Sequence, residues 1–560
     1  MQTLDWIVIA FFALGLIAIV VWVLMKKQKD STDYFLGGRD ATWLAIGASI
    51  FASNIGSEHL IGLAGSGASS GMAMAHWEIQ GWIILLLGWV FVPFYSRSMV
   101  YTMPEFLERR YNPQSRTILS LISLISYVLT KVAVTVYAGG LVFQQVFGIE
   151  KLWGIDFFWI AAVGLVLITA VYTIFGGMKS VLYTSVLQTP ILLLGSVVIL
   201  VLGLKELGGW DEMMRICGAA VVNDHGDTMT QLIRSNSDPQ YPWLGALVGS
   251  AIIGFWYWCT DQFIVQRVLS GKNQRESRRG TIFGAYLKLL PVFLFLIPGM
   301  IAYGLHVKSG GGFLPLLDSG IQNSDAAFPT LVAKLLPAGV KGVVVCGILA
   351  ALMSSLASLF NSSSMLFTID FYKKFRPQTT EKKLVVIGQM ATVVIVVLGI
   401  LWIPIMRSVG DVLYLYLQDV QSVLAPGIAA AFLLGVCWKR TSAKGGMWGL
   451  LSGLIIGLTR LGAKVYYGTT PEAAQTWFKA LFYDYNWLFF CGWMFLFCVI
   501  VVVLVSLFTP APSAEKIQGL VFGTSTAEQR LETRKSWNAW DVTHTLIIIG
   551  ITVAFYIYFW

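Results

Sequence analysis

Apolar residues run along this chain in blocks of about twenty, the length at which a helix crosses the roughly 30 Å hydrocarbon core of a bilayer. Fourteen blocks are counted, near 4–25, 42–68, 74–96, 117–146, 156–176, 181–204, 241–267, 280–306, 337–372, 384–405, 410–437, 445–465, 486–508 and 541–559. This pattern predicts an all-α integral membrane protein with 14 transmembrane helices. The first block lacks a basic leader and ends in "MKKQKD", so it reads as a spanning helix with a basic stop rather than a cleaved signal peptide. The polar segments at 205–240 and 307–336 are long enough to cover a vestibule, and neither a large soluble domain nor a low-complexity tract interrupts the pattern.

Composition strengthens this picture. Of 560 residues, 56% are hydrophobic and 12% charged, with mean hydropathy +0.71. Soluble domains carry roughly twice that share of charge. The net charge of +9 reads as basic cytoplasmic loops rather than a nucleic-acid partner. With the N-terminus outside, segments such as "RRYNPQSR", "RVLSGKNQRESRRG" and "KKFRPQTTEKK" fall on the cytoplasmic side, with roughly two thirds of all Lys and Arg. Both termini are then expected to be extracellular or periplasmic, on a multi-pass protein of the cell membrane. The six cysteines are scattered without a CxxC pair, so neither a disulfide framework nor a zinc site is indicated. The outer-loop stretch "NDHGDTMTQ" reads as solvated rather than metal-binding.

Three features depart from the apolar background. The stretch "FASNIGSEHLIGLAGSGASSG", residues 51–71, places Asn54, Glu58, His59 and many glycines at membrane depth. A charge there costs a few kcal/mol or more, and irregular backbone is tolerated only where protein or a watery cavity satisfies it. The stretch therefore reads either as a broken helix whose freed carbonyls can bind a cation or as a close-packed glycine face. The second feature is "ALMSSLASLFNSSS", residues 351–364. Ser354 and Ser355 follow Ala351 by three and four residues, so their hydroxyls and the Ala351 carbonyl approach one face. They supply half of a neutral oxygen cage for a monovalent cation, unless the serines simply bond back to their own helix. The third is a scattered polar set: Asn54, Glu78, Lys288 and Gln418, with Tyr257 and Trp258 in "GFWYWCTDQ". Donors and acceptors beside aromatic faces suit a polyol, although each residue also has an ordinary structural role, such as Lys288 pairing with a carboxylate.

Other catalytic signatures are missing: the chain has no HExxH, Walker A or Rossmann fingerprint. An enzyme or ATP-driven pump is not expected.

The blocks "STDYFLGGR", "FASNIGSEHLIGLAGSGASSG", "YTIFGGMKSVLYTSVLQT", "WYWCTDQFIVQR", "YLKLLP", "SSLASLFNSSSMLFTIDFY" and "LAPGIAAAFLLGVCWKR" resemble the sodium:solute symporter family, in particular its sodium/glucose cotransporters. The resemblance covers nearly the whole chain. It implies a LeuT-type fold with two inverted five-helix repeats. An N-terminal helix and cytoplasmic loop (1–41) precede the first repeat (42–204); an outer loop (205–240) and the second repeat (241–437) follow, then three peripheral helices (438–560). Breaks in the first helix of each repeat are implied near Asn54–Gly56 and Tyr257–Cys259. Sodium ligands would fall on the carbonyls of Ala52, Ile55 and Ala351 and the hydroxyls of Ser354 and Ser355. Sugar contacts would fall on Asn54, His59, Glu78, Lys288 and Gln418, with Tyr257 closing the inner side of the pocket.

Three positions depart from the family pattern. Ser185 stands where sugar carriers usually have an Asp tied to a second sodium site, which argues for one Na⁺ per sugar. Gly254 replaces an Asn or Thr that touches the sugar, and Gln421 also differs. The resemblance thus implies a sodium-coupled hexose importer working by alternating access, with Na⁺, a small sugar and the bilayer as its partners and no obligate protein partner indicated. A myo-inositol or other polyol carrier is the alternative, and a solute-gated channel or sensor is a rival of a different class. The resemblance assigns no role to Glu58.

Overall fold

The computed structural model describes the chain except residues 27–29, 57, 318–319, 321, 408–412 and 471–473; at 129–130, 405–407, 413–417 and 469 it describes backbone only. Ser57, the basic stop at Lys27–Lys29 and the first residues of the span expected at 410–437 lie outside the described residues.

Among the described residues the protein is helical apart from a two-residue antiparallel ladder, Lys151–Leu152 with Ile155–Asp156, and isolated bridges. Among the described residues, eleven helices are long and apolar enough to cross a membrane, and Trp43–Asn54 and Ala133–Phe147 are shorter apolar helices. The expected count of fourteen differs for identifiable reasons. The block expected at 42–68 is broken, so its first half forms the short helix Trp43–Asn54 and its second half opens the Glu58–Ser98 element. The blocks expected at 156–176 and 181–204 join in one run, Phe157–Leu207, with 51 residues. At about 1.5 Å per residue that run is far longer than one crossing. Gly177 divides it, with φ 55° and ψ −148°, a conformation that side chains resist.

Both expected helix breaks occur. Trp43–Asn54 ends where Ile55 turns extended at ψ 108°. In the later element, Trp243–Phe255 runs into a π-helical turn over Trp256–Thr260, and the chain leaves the helix at Asp261, with ψ 129°. The break therefore lies just past the expected Tyr257–Cys259. Asp261 explains the shift: its carboxylate accepts from the Phe263 amide and caps the next helix, Gln262–Leu269. Aspartate is among the residues best suited to that task.

The small residues after the first break serve close packing. A Cβ on Gly67 would lie 2.1 Å from the Leu296 carbonyl oxygen, and one on Gly299 would lie 2.0 Å from that of Ala64. Helices Ala64–Ser70 and Ile297–Lys308 thus meet backbone to backbone through this glycine pair. Gly67→Ala is expected to lower thermal stability in detergent by about 1–3 kcal/mol, the usual cost of overpacking. Gly550→Ala, at a helical glycine with open space around it, should be neutral or slightly stabilising. Equal melting temperatures for the two variants would contradict this packing.

Candidate functional site

The first break positions one cluster of oxygens. A helix that stops at Asn54 deprives the carbonyls of its last turn of the amides that a further turn would supply. Two serines from the helix Val340–Met365 take their place. Ser354 Oγ lies 2.5 Å from the Ala52 carbonyl and 2.9 Å from that of Ala351. Ser355 Oγ lies 2.9 Å from the Ser53 carbonyl and 3.1 Å from that of Ile55. Each hydroxyl has one proton to donate and two carbonyls within reach. All five residues of the expected cation set are thus gathered at one seam between two helices, in a buried setting. Every oxygen in the set is neutral, and no group of three or more Cys, His, Asp or Glu among the described residues could hold a metal ion. Such a set fits a hard monovalent cation, which takes oxygen ligands.

The same seam opens onto a cavity. Its lining includes Asn54, His59, Glu78, Tyr257, Lys288 and Gln418, all six residues expected at a sugar site, and Ser355, which links it to the oxygen cluster. A polar chain crosses it. Asn54 Nδ2 lies 3.4 Å from His59 Nε2, His59 Nε2 lies 3.4 Å from Glu78 Oε2, and Lys288 Nζ donates to Glu78 Oε2 at 2.5 Å. Glu78 and Lys288 are nearly inaccessible to solvent, so each compensates the charge of the other in a place where an isolated charge would be costly. The ordinary role foreseen for Lys288, pairing with a carboxylate, is thus realised inside the cavity wall. Gln418 presents an Oε1 with no hydrogen-bond partner among the described residues.

Aromatic faces complete the wall. Tyr257 meets Trp258 edge-on at 4.9 Å and Phe263 at 6.2 Å. Lys131 Nζ stands 4.8 Å from the centre of the Tyr257 ring and forms an ion pair with Asp261 at 2.6 Å. Tyr127 also donates its hydroxyl to Asp261. The capping residue of the second break is thereby tied to the π-helical turn Tyr127–Val132.

Several wall residues escaped the sequence reading. Glu58 lines the cavity with its carboxylate 4.0 Å from His59 Nδ1, which locates the residue of the 51–71 stretch to which the resemblance assigns no role. Lys131, Trp77, Gln80 and Thr135 line it too. A lysine in mid-span was a usable signal for Lys131; the others carry none that periodicity reveals. Ser185 is fully buried, and its hydroxyl bonds back to the Val181 carbonyl at 2.6 Å. Gly254 also lines the cavity.

Comparison with known proteins places this architecture. The family model described as the sodium:solute symporter family matches residues 34–453. Sodium/myo-inositol cotransporter 2 of Homo sapiens is 37% identical over 542 residues, covering 93% of this chain and 79% of that protein. Sodium/glucose cotransporter 4 of Mus musculus is 36% identical over 542 residues, covering 94% and 78%. Among solved structures, a Na⁺-coupled sialic acid symporter in a substrate-bound outward-open state aligns with TM-score 0.72 at 23% identity, over 91% of this chain and 99% of that one. MhsT in complex with L-phenylalanine aligns with TM-score 0.50 at 13% identity, over 83% and 99%. These structures share the fold, a LeuT-type arrangement of helices.

Proposed function

This chain belongs to the sodium:solute symporter family, and on that premise we propose that it imports an uncharged ring polyol, a hexose or myo-inositol, with one Na⁺ per solute. It is a membrane transporter coupled to Na⁺ and not an enzyme. The observation that carries the solute class is the cavity itself. Glu78, Lys288, Asn54, His59 and Gln418 converge on one space walled by Tyr257 and Trp258. A polyol needs a donor or acceptor for each hydroxyl it takes out of water, and each one left unpaired costs about 1–3 kcal/mol.

The oxygen cluster supplies the coupling. In this reading the hydroxyls of Ser354 and Ser355 turn their protons away from the carbonyls of Ala52, Ile55 and Ala351, and all five oxygens face the ion. The ion then bridges the broken helix and the helix Val340–Met365, favouring the state in which the adjoining cavity accepts solute. By linkage each ligand raises the affinity of the other by the same factor. Alternating access follows as the two five-helix repeats, 42–204 and 241–437, move about the site. Fourteen crossings with both termini outside complete the arrangement. A membrane potential of 100 mV adds about 2.3 kcal/mol per charge moved, enough for roughly fifty-fold accumulation.

Single-sodium coupling rests on Ser185, whose side chain bonds to its own helix and offers no carboxylate. The choice between hexose and inositol is open to both kinds of relative, since the curated sequences include myo-inositol and glucose cotransporters.

Uptake into proteoliposomes under an inward sodium gradient tests the proposal. Labelled glucose, galactose, mannose, fucose and myo-inositol are expected to show at least one concentrative, sodium-dependent uptake with a Hill coefficient for Na⁺ near 1. Solute-gated conductance without accumulation would instead identify a channel or sensor, and a Hill coefficient near 2 would exclude the one-sodium scheme.

A further inference from the structure

Gln80 sits at an interruption of the Glu58–Ser98 element, between the helices Ala75–Glu78 and Gly81–Leu86, and its side chain is almost wholly buried. It crosses to the second broken helix and makes two bonds there. Nε2 donates to the Ser250 carbonyl at 2.8 Å, and Oε1 accepts from the Trp258 indole N–H at 3.2 Å. These partners fix which end of the amide is oxygen, because an indole only donates and a carbonyl only accepts.

The carboxamide occupies space that only glycine leaves open. A Cβ on Gly254 would lie 2.5 Å from Gln80 Oε1 and 2.6 Å from Ile83 Cδ1. Both Gly254 and Gln80 line the cavity. Trp258, held by Gln80, also faces Lys288, whose Nζ lies 5.4 Å from its ring centre. After these two bonds the amide keeps one N–H and one oxygen lone pair. One donor beside one acceptor is the complement of a single hydroxyl.

We propose that Gln80, admitted by Gly254, is a specificity-determining contact that reads one hydroxyl of the transported ring. The proposal rests on the polyol reading above. A site built to bond a hydroxyl discriminates against the analogue that lacks it, because its own polar group is left unpaired. Gln80 therefore selects among polyols by one ring position, while Glu78 and Lys288 line the same cavity.

The test is sodium-driven uptake of D-glucose, myo-inositol and their mono-deoxy analogues into proteoliposomes, with protein quantified in each preparation. For the unaltered protein, one deoxy position is expected to raise KM about tenfold or more. In Gln80→Ala that penalty should vanish at the same position while penalties at the others persist. Gly254→Ala, which pushes the carboxamide aside without removing it, should erase the same penalty. If both variants lower uptake of the parent solute and every analogue by one common factor, Gln80 is only a packing residue and the inference is overturned. Absence of sodium-driven uptake of both glucose and inositol by the unaltered protein would overturn the functional reading and this inference with it.

Discussion

Ser355→Ala is expected to raise the sodium concentration for half-maximal uptake by roughly tenfold to a hundredfold, the equivalent of about 1.5–3 kcal/mol for a bond to a charged group. The structural cost should be smaller. The hydroxyl lies against the carbonyls of Ser53 and Ile55, and losing one such neutral bond costs about 1 kcal/mol. Folded protein should therefore reach the membrane, and at saturating sodium the solute KM should return close to its original value. Ser354→Ala should act alike, since its hydroxyl faces the carbonyls of Ala52 and Ala351. An unchanged sodium dependence in both variants would move the ion site away from this seam.

Lys288→Ala should abolish solute uptake and destabilise the protein by about 3–5 kcal/mol, because it leaves the Glu78 carboxylate buried without its closest cation. The double variant Lys288→Ala with Glu78→Gln removes the uncompensated charge, so thermal stability in detergent should recover substantially. Uptake should not recover, because the Lys288 ammonium that lines the cavity is still gone. A double variant that regains transport would show the pair to be purely structural. A single Lys288→Ala variant with normal solute affinity would move the solute site elsewhere.

The legible part of this protein lay where a residue contradicted its surroundings. Asn54 and the glycines around it stood out because membrane helices pay for both polar groups and weak helix formers, and the helix does end at Asn54. Ser354 and Ser355 stood out by spacing alone, and their hydroxyls do reach the carbonyls freed by that break. The second break was legible only approximately. The aromatic run Trp256–Thr260 continues as a π-helical turn, and the chain parts at Asp261, where a capping carboxylate is available. A reading that weighed Asp261 as a cap would have found it.

Other features had no sequence signal at their own position. Gln80 looks like one polar residue near a span boundary, and Gly254 stands out only as a departure from the family pattern, with nothing to say what fills its place. Their relation, a carboxamide filling the space that a missing Cβ leaves, joins positions 174 residues apart and exists only in three dimensions. Glu58 was conspicuous as a charge but ambiguous in direction, since the turn after a break sets where a side chain points. The number of crossings was blurred for a related reason: hydropathy counts apolar blocks, whereas the turn at Gly177 and the break at Ile55 decide how blocks join or divide.

By itself the sequence determined the membrane setting and the helical class, because twenty-residue apolar blocks have no other stable home than a bilayer. It also determined which residue types were available for an ion and a polyol, and, by resemblance, the family. Tertiary structure alone decided that Ala52, Ile55, Ala351, Ser354 and Ser355 meet at one seam, that Glu78 neutralises Lys288, and that Gln80 leans over Gly254. These are contacts between segments more than 170 residues apart, so they depend on how broken helices pack, and no local periodicity encodes them.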